Sequence, residues 1–101
     1  MPPKATLGDL EINYNRRSVF VQGTEVYLAQ SEWEFLECLA LCPRQLVTRE
    51  FLLAVLHRYD GKKPPMRSID TIASRVRKKL RDICGKNLIH PVRGTGYALY
   101  A

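Results

Sequence analysis

Apolar residues alternate with polar ones at the start of the chain, fall at helical spacing through its middle, and alternate again at the end. Leu7 to Ile12 alternates weakly and reads as a short strand. Ser18-Val19-Phe20-Val21 and Glu25-Val26-Tyr27-Leu28 flank Gln22-Gly23-Thr24. The flanks are β-branched or aromatic, and Gly23 supplies the positive φ of a tight turn, so this is a hairpin. Phe35, Leu36, Leu39 and Ala40 set a helix over residues 30–41, which Pro43 ends because it has no N–H to donate. Ser31-x-x-Glu34 has capping-box spacing, although Ala29 and Gln30 also stand at the start. Residues 45–47 form a short link. Thr48 then caps a helix over 49–57 that turns Leu52, Leu53, Val55 and Leu56 inward.

Residues 58–66 hold Asp60-Gly61 and Pro64-Pro65 and read as a loop, too long for the simplest helix-turn-helix. Residues 68–84 are the most strongly periodic. Ile69, Ile72, Ala73, Val76, Leu80 and Ile83 make one apolar stripe, and Gly85 suits a left-handed C-terminal cap. Leu88-Ile89 and residues 91–99 read as a last hairpin with its tip near Gly94–Gly96. Trp33 is expected in the core, and Tyr97 against the third helix. The order of strands, three helices and hairpin predicts one α+β domain over 1–101. Its N-terminal antiparallel strands span about 5–28, its helices 30–84 and its hairpin 87–100. That hairpin is placed to act as a wing beside the third helix.

The charge is unevenly spread. Residues 1–57 carry five Lys/Arg against seven Asp/Glu, net −2, and residues 58–101 carry eleven against three, net +8. A polyanionic partner is therefore expected to face the second half. Charge alone fits nucleic acid or an acidic membrane, but no apolar run approaches the ~20 residues that span a bilayer. The start, Met1-Pro2-Pro3-Lys4, has no signal-peptide hydrophobic region. Cys38, Cys42 and Cys84 are odd in number and lack framework spacing, which suggests reduced, buried thiols in a cytosolic setting. Cys38 and Cys42 stand four apart on one helix, but a structural zinc needs four ligands. His57 and His90 have no carboxylate or nucleophile at motif spacing. Neither catalysis nor a cofactor is expected.

A helix that reads DNA needs one apolar face to hold it on its domain and one basic face left free. Residues 67–86 provide both, with Arg67, Arg75, Arg77, Lys78, Lys79, Arg81 and Lys86 against only Asp70 and Asp82. The arginine fork matches guanine O6 and N7, whereas lysine acts as a point charge on phosphate. Asp70 can accept from cytosine N4 or orient a neighbouring Arg. Arg93-Gly94, on the hairpin tip, can enter the adjacent minor groove.

These residues resemble a known family. Arg67-Ser68-Ile69-Asp70, followed by Ser74-Arg75-Val76-Arg77-Lys78-Lys79-Leu80, looks like the recognition helix of the OmpR/PhoB winged-helix regulators. Val92-Arg93-Gly94-Thr95-Gly96-Tyr97 looks like their wing. Leu28 with Glu32 to Leu36 is similar to their first helix, and Val47-Thr48-Arg49-Glu50 to their second. The resemblance spans about Leu7 to Leu99. It implies a winged helix-turn-helix with a four-stranded N-terminal sheet. It also implies base contacts from Asp70, Thr71, Ser74 and Arg75, and phosphate contacts from Arg67, Ser68, Arg77 and Lys78. Arg93 would reach the minor groove, and the loop with Arg58, Asp60, Lys62 and Lys63 would touch RNA polymerase. It further implies a bacterial, cytoplasmic two-component response regulator, binding direct repeats of double-stranded DNA as a tandem dimer. Family members usually carry a receiver domain; none stands in this sequence, which fits an excised output domain or a stand-alone relative. Ala29-Gln30 stands where the family often has Thr-Pro, and His57 where it often has Trp. Pro91 replaces a hydroxyl residue and Ala98 a basic one, so the implied DNA contact set is leaner. The alternative is a protein-interaction module whose basic face docks an acidic partner, RNA polymerase included.

Overall fold

The computed structural model describes residues 3–56 and 65–101. Four strands, β1 (Lys4–Leu7), β2 (Leu10–Asn13), β3 (Ser18–Val21) and β4 (Thr24–Val26), form an antiparallel meander in chain order. The single strand expected over 7–12 is therefore two. Leu7 pairs with Leu10 across a two-residue turn, and Gly8, at φ +59°, takes the first central position that favours glycine. Residues 14–17 turn β2 into β3, and the β3–β4 turn is the Gln22-Gly23 pair, both at positive φ, with Thr24 already paired to Val21. Leu10, Ile12, Val19, Val21 and Val26 all point inward and are buried. Glu11 and Glu25 are exposed on the other face, with Phe20 half-buried between them in register.

Helix α1 (Gln30–Leu41) lies in the core, with Trp33, Phe35, Leu36 and Leu39 buried. Its start differs from the Ser31/Glu34 expectation. Ala29 is the N-cap, and the Glu32 carboxylate accepts its backbone N–H at 2.9 Å. Alanine has no side-chain acceptor, so only the returning half of a capping box exists. Glu34 is instead buried and accepts from the Gln30 side chain at 3.3 Å. The expected link is in part a strand: β5 (Val47–Thr48) pairs with the last strand of the chain. Thr48 then caps α2 (Arg49–Leu56) by accepting the Phe51 N–H at 3.2 Å.

Helix α3 (Arg67–Cys84) buries Ile69, Ile72, Ala73, Val76 and Leu80. Burial of each large one contributes roughly 1.5–3 kcal/mol, against tenths for intrinsic helix propensity, so packing holds this helix in place. Gly85, at φ +73°, closes it by donating its N–H to the Arg81 carbonyl at 2.7 Å. Strands β6 (Ile89–Val92) and β7 (Gly96–Leu99) form the last hairpin, and the second sheet has the order β5-β7-β6. Its turn is Arg93–Thr95; Gly96, expected at the tip, is already in β7. Both sheets and all three helices contribute to one hydrophobic cluster. Trp33 is in it, with Tyr14 edge-on at 6.3 Å. Cys38 is buried as expected, but Cys42 and Cys84 are only half-buried. Among the described residues no helix is long and apolar enough to cross a membrane.

Candidate nucleic-acid interface

The apolar stripe that docks α3 dictates what its opposite side shows. Arg67, Thr71, Ser74, Arg75, Lys78 and Arg81 are exposed at spacings of three and four, a continuous outward face. Thr71 bonds back to the Arg67 carbonyl at 3.3 Å, which ties its hydroxyl to the first turn. Lys78 and Asp82 form an exposed i,i+4 pair at 2.8 Å. Such a pair is worth only tenths of a kcal/mol, so Lys78 is easily recruited by another anion. Ser68 and Arg77 are half-buried at the margins. Ser68 Oγ and Arg77 Nε have no hydrogen-bond partner among the described residues. A shallow groove of about 430 Å3 separates Ser31 of α1 from Arg67, Thr71 and Arg75 of α3.

Arg93 is exposed on the hairpin turn at the other flank. Between hairpin and helix is a notch of about 170 Å3 bordered by Arg49, Asp70, Arg93 and Tyr97. Asp70 is engaged inside the protein. Its Oδ2 accepts from Arg49 Nη2 at 2.6 Å, and its Oδ1 accepts from the Tyr97 hydroxyl at 2.6 Å. Of the two roles open to Asp70 in the sequence, the geometry favours orienting an arginine. That arginine comes from α2 and not from the helix surface nearby. Tyr97 packs edge-on against Phe35 at 5.5 Å, and its hydroxyl reaches the third helix. Burial, then the hydrogen bond and charge of Asp70, push the Tyr97 hydroxyl up to about 12.

Lys79 belongs to the basic run but turns toward the domain. Its Nζ donates to Glu32 Oε1 at 2.6 Å and to the Tyr27 carbonyl at 3.0 Å, fastening α3 to the start of α1. Burial raises the Glu32 carboxyl, but the Lys79 bond, the Ala29 N–H and the charges of Lys79 and Arg75 outweigh it and leave the group below its ordinary value. Lys86 similarly joins Asp9, in the β1–β2 turn, at 3.3 Å.

The structure thus brings Thr71, Ser74, Arg75, Arg67 and Lys78 onto one outward face, sets Ser68 and Arg77 at its edges, and places Arg93 beside it. Arg58, Asp60, Lys62 and Lys63 lie outside the described residues, as does His57. Sequence reasoning missed Arg49 as a partner of Asp70, and it counted Lys79 as free surface charge. The signal for Lys79 was its helical spacing from Ile72, Val76 and Ile83, which sets it on the border of the stripe.

Comparison with known proteins accords with this geometry. The model of the family described as transcriptional regulatory protein, C terminal, matches residues 23–99. The cell cycle response regulator CtrA of Brucella anthropi is 36% identical over 96 residues, covering 93% of this chain and 40% of that protein. The chain therefore spans well under half the length of this curated relative. The response regulator DrrB, a Thermotoga maritima OmpR/PhoB homologue, superposes with a TM-score of 0.83 at 30% identity, over 98% of this chain and 45% of DrrB. The RstA DNA-binding domain of Klebsiella pneumoniae, solved in complex with the RstA box, superposes with a TM-score of 0.81 at 33% identity, over 98% of each chain. With its helices, two sheets and hairpin in the same arrangement, this chain belongs to the OmpR/PhoB-type family of winged-helix, C-terminal DNA-binding domains of transcriptional regulators.

Proposed function

We infer that this domain regulates transcription by binding double-stranded DNA in a sequence-specific manner, with α3 in the major groove and the β6–β7 wing in the adjacent minor groove. One observation carries the reading. Thr71, Ser74 and Arg75 are exposed on the face opposite the buried stripe, between the wing arginine on one flank and the start of α1 on the other. These short polar side chains and one arginine read base edges. Arg67, Lys78 and the marginal Ser68 and Arg77 meet phosphates, Arg93 enters the minor groove, and Asp70 serves the base-reading end from behind. The RstA domain, solved in complex with the RstA box, supports DNA as the partner of this fold. The domain is the output half of a two-component regulator and binds direct repeats as a tandem dimer. The loop with Arg58, Asp60, Lys62 and Lys63 contacts RNA polymerase.

Selection of bound duplexes from a random pool tests this. The expected product is a direct repeat with half-sites about one helical turn apart. Its affinity should fall steeply with salt yet stay well above that for random duplex at physiological salt. Equal affinity for selected and random duplex would leave only a basic surface for an acidic protein. An inverted repeat would exclude the tandem arrangement.

A further inference from the structure

A two-stranded ribbon is marginal by itself, so the direction of the wing depends on what holds its base. β7 joins β5 through only two residue pairs, Val47 with Tyr97 and Thr48 with Gly96. Three polar contacts reinforce that junction. The Arg49 N–H donates to the Thr95 carbonyl at 3.0 Å, the Arg49 guanidinium to Asp70 at 2.6 Å, and the Tyr97 hydroxyl to Asp70 at 2.6 Å. Asp70 sits in the first turn of α3, next to Thr71. One carboxylate therefore joins the start of α2, the outward-facing end of α3 and the wing strand.

We propose that Asp70, Arg49 and Tyr97 are positioning residues, a bracket that sets the wing against α3 so that Arg93 meets the minor groove while Thr71 and Arg75 lie in the major groove. The proposal rests on the DNA-binding reading above. Each member is held from behind. Phe35 fixes the Tyr97 ring, the helix fixes Asp70, and the cap on Thr48 fixes the start of α2. Both bonds to the carboxylate are short and charge-assisted, the strong kind. The bracket also explains why an acid stands on a face meant for a polyanion. Electrostatics alone says that neutralising Asp70 tightens DNA binding, whereas a bracket says that the specific complex weakens.

The test uses the 101-residue chain, the duplex recovered by selection and a random duplex. Asp70→Asn and Tyr97→Phe are each combined with Arg93→Ala. Each bracket variant is expected to lose about tenfold on the selected duplex and to change little on the random one. Arg93→Ala, itself costing about tenfold, should then add less than about twofold, because an unaimed wing has little left to lose. Without DNA, the Arg49 amide and the wing amides should exchange hydrogen faster in both variants. Tighter or unchanged specific binding by Asp70→Asn, losses that multiply with Arg93→Ala, or unchanged exchange would each overturn the bracket. If Tyr97→Phe fails to fold, Asp70→Asn, whose side chain is 44% exposed, carries the test alone. If the wild type selects no duplex, the DNA-binding reading fails, and amide exchange by itself decides the bracket.

Discussion

Gly94 and Gly96 stand two residues apart in the wing but are glycine for different reasons, which predicts different penalties for replacing them. Gly96 has no unusual φ. A Cβ added there would lie 2.9 Å from Thr48 Cα and closer still to the Val47 carbonyl oxygen. Both obstacles are backbone, so β5 must move away from β7 and the Val47–Tyr97 and Thr48–Gly96 pairs loosen. Overpacking of this kind costs about 1–3 kcal/mol, and forcing backbone apart puts Gly96→Ala at the upper end. Gly94 has open space around it but φ +75°. There alanine costs about 1 kcal/mol for the left-handed backbone alone. For a domain of this size each kcal/mol shifts the melting midpoint by roughly 4–8 °C. Calorimetry should therefore show Gly96→Ala falling by roughly 10–20 °C and Gly94→Ala by roughly 4–8 °C. Asn visits the left-handed region readily, so Gly94→Asn should recover most of the loss, whereas Gly96→Asn should be no better than Ala. Equal penalties at the two sites, or full tolerance of Gly96→Ala, would show that β5 does not press on the wing as described.

On a selected duplex, Arg75→Ala should cost about 1–3 kcal/mol and relax preference at one base position. Lys78→Ala should weaken all duplexes alike and reduce the salt slope by about 1. Competition binding across salt checks both, and an unchanged Arg75→Ala would displace the assigned groove register. Among the described residues, Lys79→Met leaves the buried Glu32 carboxylate with the Ala29 N–H and the more distant charge of Arg75, and should cost about 1–3 kcal/mol in urea unfolding. Because the folded Glu32 carboxyl sits below its ordinary value, its contribution is present above the unfolded value and is lost as pH falls through the folded one. Lys79→Met should therefore flatten the stability profile in that acid window. Tyr97 behaves oppositely: its stabilisation is complete below about pH 10 and disappears as pH rises toward about 12. The loss should be roughly 1–2 kcal/mol, less than the full shift implies because solvent reaches Asp70, and Tyr97→Phe should remove that dependence.

Much of the molecule was written in local pattern. The stripe from Ile69 to Ile83 gave a helix and, by exclusion, its outward face, because a helical period assigns every residue a side. Thr48, Pro43 and Gly85 act where they stand, so caps and helix ends were legible. Gly8-Asp9 marked a turn as well, but Leu10 and Ile12 continued an apparent alternation, and a two-residue turn between short strands is easily read through. β5 was not legible, since two residues carry no period and become a strand only when β7 lies beside them. The same holds for the polar contacts. Asp70, Arg49 and Tyr97 are 21 and 27 residues apart along the chain, measured from Asp70, and Lys79 lies 47 from Glu32. The pattern placed Tyr97 against the third helix but named neither its partner nor those of Arg49 and Lys79; only packing brought these groups within 2.6 Å of Asp70 and Glu32. The sequence by itself determined which face of α3 is free and basic. The tertiary structure decided which of those charges remain available to DNA and how the wing is held beside them, because hydrogen bonds between distant residues exist only once the core has set the distance.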